Sequence, residues 1–150
     1  MAFDIGRVRI GVAISDSAGI LASPLPFIVR SESDTETVAE LIAAVKFHEA
    51  VEVYFGLPTS LSGSETKSTE DSKDLAILFA DSIDFPVTLI DERLTTVSAS
   101  NKLRMAGKDS RKSKSLIDSA SAVEILEFAM QSERSSGMVQ GIPVRRTNGT

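Results

Sequence analysis

The sequence has no cysteine and no tryptophan, and only one tyrosine and one histidine. Lack of cysteine excludes disulfides and thiolate metal sites, and it suits the reducing cytoplasm. With a lone histidine, any metal site must be built mainly from carboxylates, which favour hard cations such as Mg²⁺ or Mn²⁺. No stretch approaches the roughly 18 consecutive apolar residues of a membrane span, so no membrane partner is expected. The first residues show no basic segment followed by an apolar one, so no signal peptide is expected either.

What is present is ordinary for one folded domain. The 150 residues are 42% hydrophobic, enough to fill a single core. A net charge of −5 argues against indiscriminate binding to nucleic acid, itself an anion. The charge is uneven, however. Asn101 to Lys114 carries Lys102, Arg104, Lys108, Arg111, Lys112 and Lys114 against one acid, Asp109. A basic patch on an acidic body steers polyanions to one place, although a solvated basic loop would read the same way.

The order of elements follows from periodicity. "AFDIG" and "RIGVAIS" (Arg9 to Ser15) are close enough for a hairpin, and "PFIVR" (Pro26 to Arg30) is a third strand. Ser33, followed three residues later by Glu36, has the form of a capping box. Val38, Leu41, Ile42 and Val45 then mark the buried face of a helix, with His48 at its inner edge as a packed or capping residue. "VEVYFGLP" (Val51 to Pro58) is the next strand. The polar stretch "TSLSGSETKST" lacks the lysine and spacing of a P-loop and reads as a turn or a substrate-side loop. A helix over Glu70 to Ser82 buries Leu75, Leu78 and Phe79, and the strand "VTLI" follows. Helices are expected over Thr96 to Met105 and Ser115 to Gln131, with the basic loop between them. The order β-β-β-α-β-α-β-α predicts an α/β fold with a mixed central sheet and helices on both faces, as in RNase H-like proteins. The domain is expected to span 1–131, with a mobile tail over 132–150.

Three acids stand in awkward places. Asp4 interrupts the first strand, sharing a face with Ala2 while Phe3 and Ile5 take the other. A carboxylate inside a sheet costs several kcal/mol unless paired or bound to a cation; alternatively, Asp4 ends the strand and caps the turn at Gly6. Asp118 lines up with Ala122, Ile125 and Ala129 at ~100° per residue, away from a polar stripe through Glu124, Glu127 and Gln131. It is a candidate ligand, a helix-terminal charge, or both. Asp91 and Glu92 close a strand at its carboxyl edge, where open α/β sheets place their ligands. Neighbours point to opposite faces, so only one of the two faces a given site, and the other should pair with Arg93. Three carboxylates from separate elements could hold divalent metal, and two ions about 4 Å apart suit phosphodiester cleavage.

Four blocks carry a resemblance: "FDIGRVRIGVAISD" (Phe3 to Asp16), "GLPTSLSGSE" (Gly56 to Glu65), "DERLTT" (Asp91 to Thr96) and "KSLIDSASAVEIL" (Lys114 to Leu126). In order and spacing the chain resembles the YqgF/RuvX proteins, described as pre-16S rRNA nucleases or Holliday-junction-resolvase-like proteins. The resemblance covers about residues 1 to 130. It implies an RNase H-like fold and an endonuclease dependent on Mg²⁺ or Mn²⁺, acting on pre-rRNA in ribosome biogenesis or on branched DNA, as a monomer or homodimer. It implies that Asp4, Glu92 and Asp118 are the catalytic metal ligands, and it selects Glu92 over Asp91. Arg7, Arg9 and Arg93 would contact phosphate or hold the acids, and Arg111, Lys112 and Lys114 would contact nucleic acid. Two departures stand out. Few residues precede Asp4, and the strand ending in Gly56-Leu57-Pro58 supplies no acid. A non-catalytic nucleic-acid-binding module is a second reading. A sugar-kinase or actin-like ATPase, suggested by "DIG", would need two lobes, and this chain has room for one.

Overall fold

The computed structural model describes residues 1–95 and 118–147. Three strands come first: β1 (Ala2–Ile5), β2 (Arg9–Ser15) and β3 (Ala22–Val29). Then come α1 (Asp34–Phe47), β4 (Val53–Leu57), α2 (Lys67–Asp81) and β5 (Val87–Asp91), which ends in a single 3-10 turn, Glu92–Leu94. Helix α3 (Ala120–Ser136) and a short β6 (Ile142–Pro143) complete the described residues. The six strands form one sheet in the order β3-β2-β1-β4-β5-β6. The first three make an antiparallel meander, β1, β4 and β5 run parallel, and β6 returns antiparallel.

Alternation along the strands sorts the core into two layers. Phe3, Val12, Phe55 and Leu89 face α1 and α2, where Phe3, Phe55 and Phe79 pack as tilted or edge-on rings. Ala2, Ala13, Tyr54 and Ile90 face α3 and meet Ala122, Ile125, Leu126 and Ala129. Small side chains on that face let α3 lie close to the sheet. Asp4, two residues from Ala2, therefore points to the α3 side.

Local chemistry explains most element boundaries. Ser33 Oγ accepts the Glu36 amide at the start of α1, and Val38, Leu41 and Val45 are buried as expected. His48 occupies the C-cap, with its ring edge-on to Phe47. Helix α2 starts at Lys67, earlier than expected, because Thr66 and Thr69 form a reciprocal capping box. Within it Leu75 and Phe79 are buried, whereas Leu78 is 41% exposed on the solvent side.

Several expectations are corrected. The last helix begins at Ala120 rather than Ser115, so Asp118 lies in the turn before it. Glu124, assigned to the polar stripe, is buried at 7% exposure, because α3 is covered over more than its strictly apolar face. The segment from Ser132 is not all tail. Helix α3 continues to Ser136 and stops at Gly137, whose φ of 82° is the left-handed C-cap conformation glycine adopts without strain. The chain then returns to pair β6 with β5, and Arg146 donates to the carbonyls of Ala80 and Phe85. The helix expected over Thr96 to Met105 and the basic segment with Arg111, Lys112 and Lys114 lie outside the described residues. No helix among the described residues is long and apolar enough to cross a membrane.

Candidate active site

The site forms at one edge of the sheet, around the carboxyl end of β1. Asp4 projects from β1 toward the α3 side. On β5, Thr88 and Ile90 share that side by alternation, and Glu92, the next residue in the series, turns the same way. The two side chains come within hydrogen-bonding reach of each other. Both are largely withdrawn from water, and this decides their protonation. Burial, then the shared hydrogen bond and the charges of Asp4 and Asp91, pushes the Glu92 carboxyl up to about 8. Burial also raises Asp4, partly offset by its bond to Glu92. Two half-buried carboxyls this close cannot both ionise cheaply, so they share a proton at neutral pH.

Room for Glu92 comes from a glycine. A Cβ on Gly56 would lie 2.7 Å from Glu92 Oε1 and 2.5 Å from Ile125 Cδ1. The residue ending "VEVYFG" is thus the floor under Glu92. On the other flank, Gly11 stands opposite Asp4 in the β1–β2 ladder. A Cβ there would meet the Asp118 carbonyl oxygen at 2.3 Å, so the turn carrying Asp118 rests on bare backbone one strand from Asp4. Ser119 pins this turn: its hydroxyl accepts the Val12 amide at 3.0 Å and donates to the Leu25 carbonyl at 2.5 Å.

The structure therefore joins Asp4 to Glu92 and sets the backbone of Asp118 against Gly11, one strand from Asp4. No cluster of three histidine or acidic side chains arranged to hold a metal is found among the described residues. The Asp118 carboxylate instead accepts Arg9 Nη1 at 3.0 Å, with Arg9 on the face of β2 that α3 covers. The Arg9 guanidinium also stands 5.0 Å from the centre of the Phe27 ring.

Asp91 belongs to the other side of the sheet. Its carboxylate accepts Arg93 Nε at 3.0 Å and Nη2 at 2.5 Å, the Arg93 amide at 2.9 Å and the Thr59 hydroxyl at 3.2 Å. The Arg93 hydrogen bond is the main reason its pKa sits below the ordinary carboxylate range. Arg93 is engaged with this acid and not with the Asp4–Glu92 pair. Its Nη1 lies 3.0 Å from where a Gly63 Cβ would be, so the fork backs onto the loop over 58–66. That loop is a closed turn, with Gly63 N–H donating to the Ser60 carbonyl at 2.8 Å and Ser60 N–H to the Ser64 carbonyl at 3.2 Å. Arg7 sits in the β1–β2 turn, exposed, three residues beyond Asp4.

Reading the residues alone missed Gly56, Gly11, Ser119 and Thr59. A glycine after three buried strand residues was the available signal for the first, since only a close approach requires it there.

A dication such as Mg²⁺ or Mn²⁺ takes hard oxygen donors and could stand in place of the proton that Asp4 and Glu92 share. Comparison with known proteins agrees with this architecture. Residues 1–132 match the family described as RuvX, Holliday junction resolvase. A relative from Clavibacter michiganensis subsp. michiganensis, named "Putative pre-16S rRNA nuclease", is 41% identical over 146 residues, covering 97% of this chain and 91% of its own. One of the same name from Mycolicibacterium smegmatis is 46% identical over 136 residues, covering 89% and 80%. Among solved structures, "T. thermophilus RuvC in complex with Holliday junction substrate" matches with a TM-score of 0.58 over 94% of this chain and 96% of that one. At 13% identity this likeness concerns the fold, which is RNase H-like. The chain belongs to the RuvX family.

Proposed function

We propose that this protein is a divalent-metal-dependent endonuclease that cleaves phosphodiester bonds of structured RNA at the 5′ end of pre-16S rRNA during ribosome biogenesis. The observation that carries the reading is the half-buried Asp4–Glu92 pair, two acids close enough that a proton or a cation is needed between them. Asp4, Glu92 and Asp118 are the residues assigned to hold Mg²⁺ or Mn²⁺. When bound, such an ion supplies Lewis-acid stabilisation of charge on the phosphoryl and leaving oxygens. Without the ion, Glu92 would hold the proton it shares with Asp4. Arg9 keeps Asp118 at the margin of the site, and Ser119 fixes the turn that bears it. Arg111, Lys112 and Lys114 are assigned to nucleic-acid contact, and the cytoplasm is the assigned compartment. A monomer suffices for a single cut.

Cleavage of branched DNA is the second reading, favoured by the family description and by the fold shared with a junction-bound RuvC. It requires a homodimer presenting two sites to a symmetric substrate. Incubation with precursor 16S rRNA and with four-way DNA junctions, each with Mg²⁺ or Mn²⁺, separates the two. The RNA reading expects cut precursor and intact junctions, with activity lost in Asp4→Asn and Glu92→Gln. Cut junctions alone would reverse the assignment, and loss of neither activity in the variants would remove the site from the chemistry.

A further inference from the structure

A cleft of about 270 Å³ opens between the β1–β2 turn and the start of α2, lined by Arg7, Arg30, Lys67, Ser68 and Asp71. Both of its walls continue from the carboxyl ends of β1 and β4, the sheet edge that carries Asp4 and Glu92. Its charges do not cancel. The Arg30 side chain, 10% exposed, donates to Asp71 at 2.6 and 2.7 Å and to Asp34 at 3.1 Å, and Asp71 also feels Arg7, so with Lys67 the three cations exceed the two acids by one charge. Arg7 and Lys67 are exposed and have no ion-pair partner among the described residues.

The cleft is also held in shape. Arg30 Nη1 donates to the Gly6 carbonyl at 3.2 Å, and its amide donates to the Val8 carbonyl at 2.8 Å. Gly6 N–H closes the turn on the Arg9 carbonyl at 3.0 Å. Arg7 therefore projects from a turn fixed at both ends and tied through Arg30 to both helices. It lies three positions beyond Asp4, so the two Cα atoms are at most about 11 Å apart. A strand with its scissile phosphate at the carboxylate pair brings a flanking phosphate within reach of the cleft.

We propose that this cleft binds a backbone phosphate flanking the scissile one, with Arg7 and Lys67 supplying the charge and Ser68 a hydroxyl donor. The site needs no base contact, so it fixes the path of the strand and not its sequence. Its occupant rests on the nuclease reading above, and the cleft extends that reading from where the strand is cut to where it runs.

The test is the affinity of a fluorescent stem-loop RNA for the full chain across a salt series, without added divalent ion. Arg7→Ala and Lys67→Ala should each weaken binding about fivefold near 0.1 M salt and lower the slope of log affinity against log salt by about 0.7. Lys67→Arg should restore both, and melting temperatures should stay at the wild-type value. Unchanged slopes in properly folded alanine variants would overturn the proposal. Protection from thermal unfolding by millimolar inorganic phosphate, lost in the double variant with RNA slopes unaltered, would assign the cleft to a free phosphate ion and overturn it too. Reduced slopes in variants of a protein that cuts no nucleic acid would sustain the cleft and remove the nuclease reading. Full cleavage by the wild type with unaltered slopes would do the reverse.

Discussion

Glu92 and Gly56 are a matched pair: one residue needs space beside Asp4, and the other provides it by having no side chain. Gly56→Ala should displace Glu92 and the Ile125 side chain, both flexible ends that can move. Its expected signature is a stability loss of about 1–3 kcal/mol by denaturant unfolding, accompanied by a disproportionate loss of metal affinity in calorimetry. The raised pKa of Glu92 has its own consequence. Its folded value of about 8 lies above its ordinary value of 4.5, so the folded state binds the extra proton between them. The Glu92 contribution to the stability of the metal-free protein should thus be full below pH 4.5 and be lost as pH rises through 8. Glu92→Gln should flatten that part of the melting-temperature profile, and a wild-type profile without the decline would refute the shared proton. At this scale the sequence was partly legible. Asp4 betrayed itself as an acid in an apolar strand. Parity separated Asp91 from Glu92, but which one faced Asp4 depended on the register of β4 between them, a non-local fact.

Among the elements, the end of β5 shows why three charged residues follow a buried strand. Glu92 serves one face of the sheet, while Asp91 and Arg93 lock together on the other and hold Thr59. That lock sets the position of the loop over 58–66. Asp91→Asn should loosen it, as should Arg93→Lys, because a lysine keeps the charge but cannot form the fork. Faster amide exchange across Thr59 to Ser64 in both variants is the expected result; slow exchange in Arg93→Lys would mean that charge alone suffices. Boundaries were less legible than elements. Strand β3 starts at Ala22, although Pro24 and Pro26 lie within it, because it is the outer strand and needs no donor on its free side. Helix α3 runs past Gln131 through "SERSS" because capping at Gly137, rather than an apolar face, decides where it stops.

In the molecule as a whole, the strand order is that expected from a meander feeding parallel units, and most of the apolar residues used in that inference are buried, with Leu78 and Val29 exposed and Ile42 half-buried. The return of the chain onto β5 was not foreseen. Two residues of strand leave almost no periodicity, and the contacts are mostly polar and distant: Val144 N–H to the Val87 carbonyl at 2.9 Å, Arg146 to Ala80, and Thr147 to Asp81. Ending the chain at Ser136 would uncover the edge of β5 and should cost about 2–3 kcal/mol. Denaturant unfolding checks this, and an unchanged midpoint would show that the return is not adhesive. The single sheet also explains why two of the acids meet at all. They come from the first strand and the end of the fifth, brought together by β4, while the turn before α3 sets the Asp118 backbone against β2.

Calorimetric titration of Mn²⁺ at pH 7 in buffers of different ionisation enthalpy measures protons released on binding. Because Asp4 and Glu92 share a proton that the cation must replace, release of about one proton per ion is expected. It should be abolished in Glu92→Gln. Binding with no proton release in the wild type, or the same release in the variant, would contradict the account.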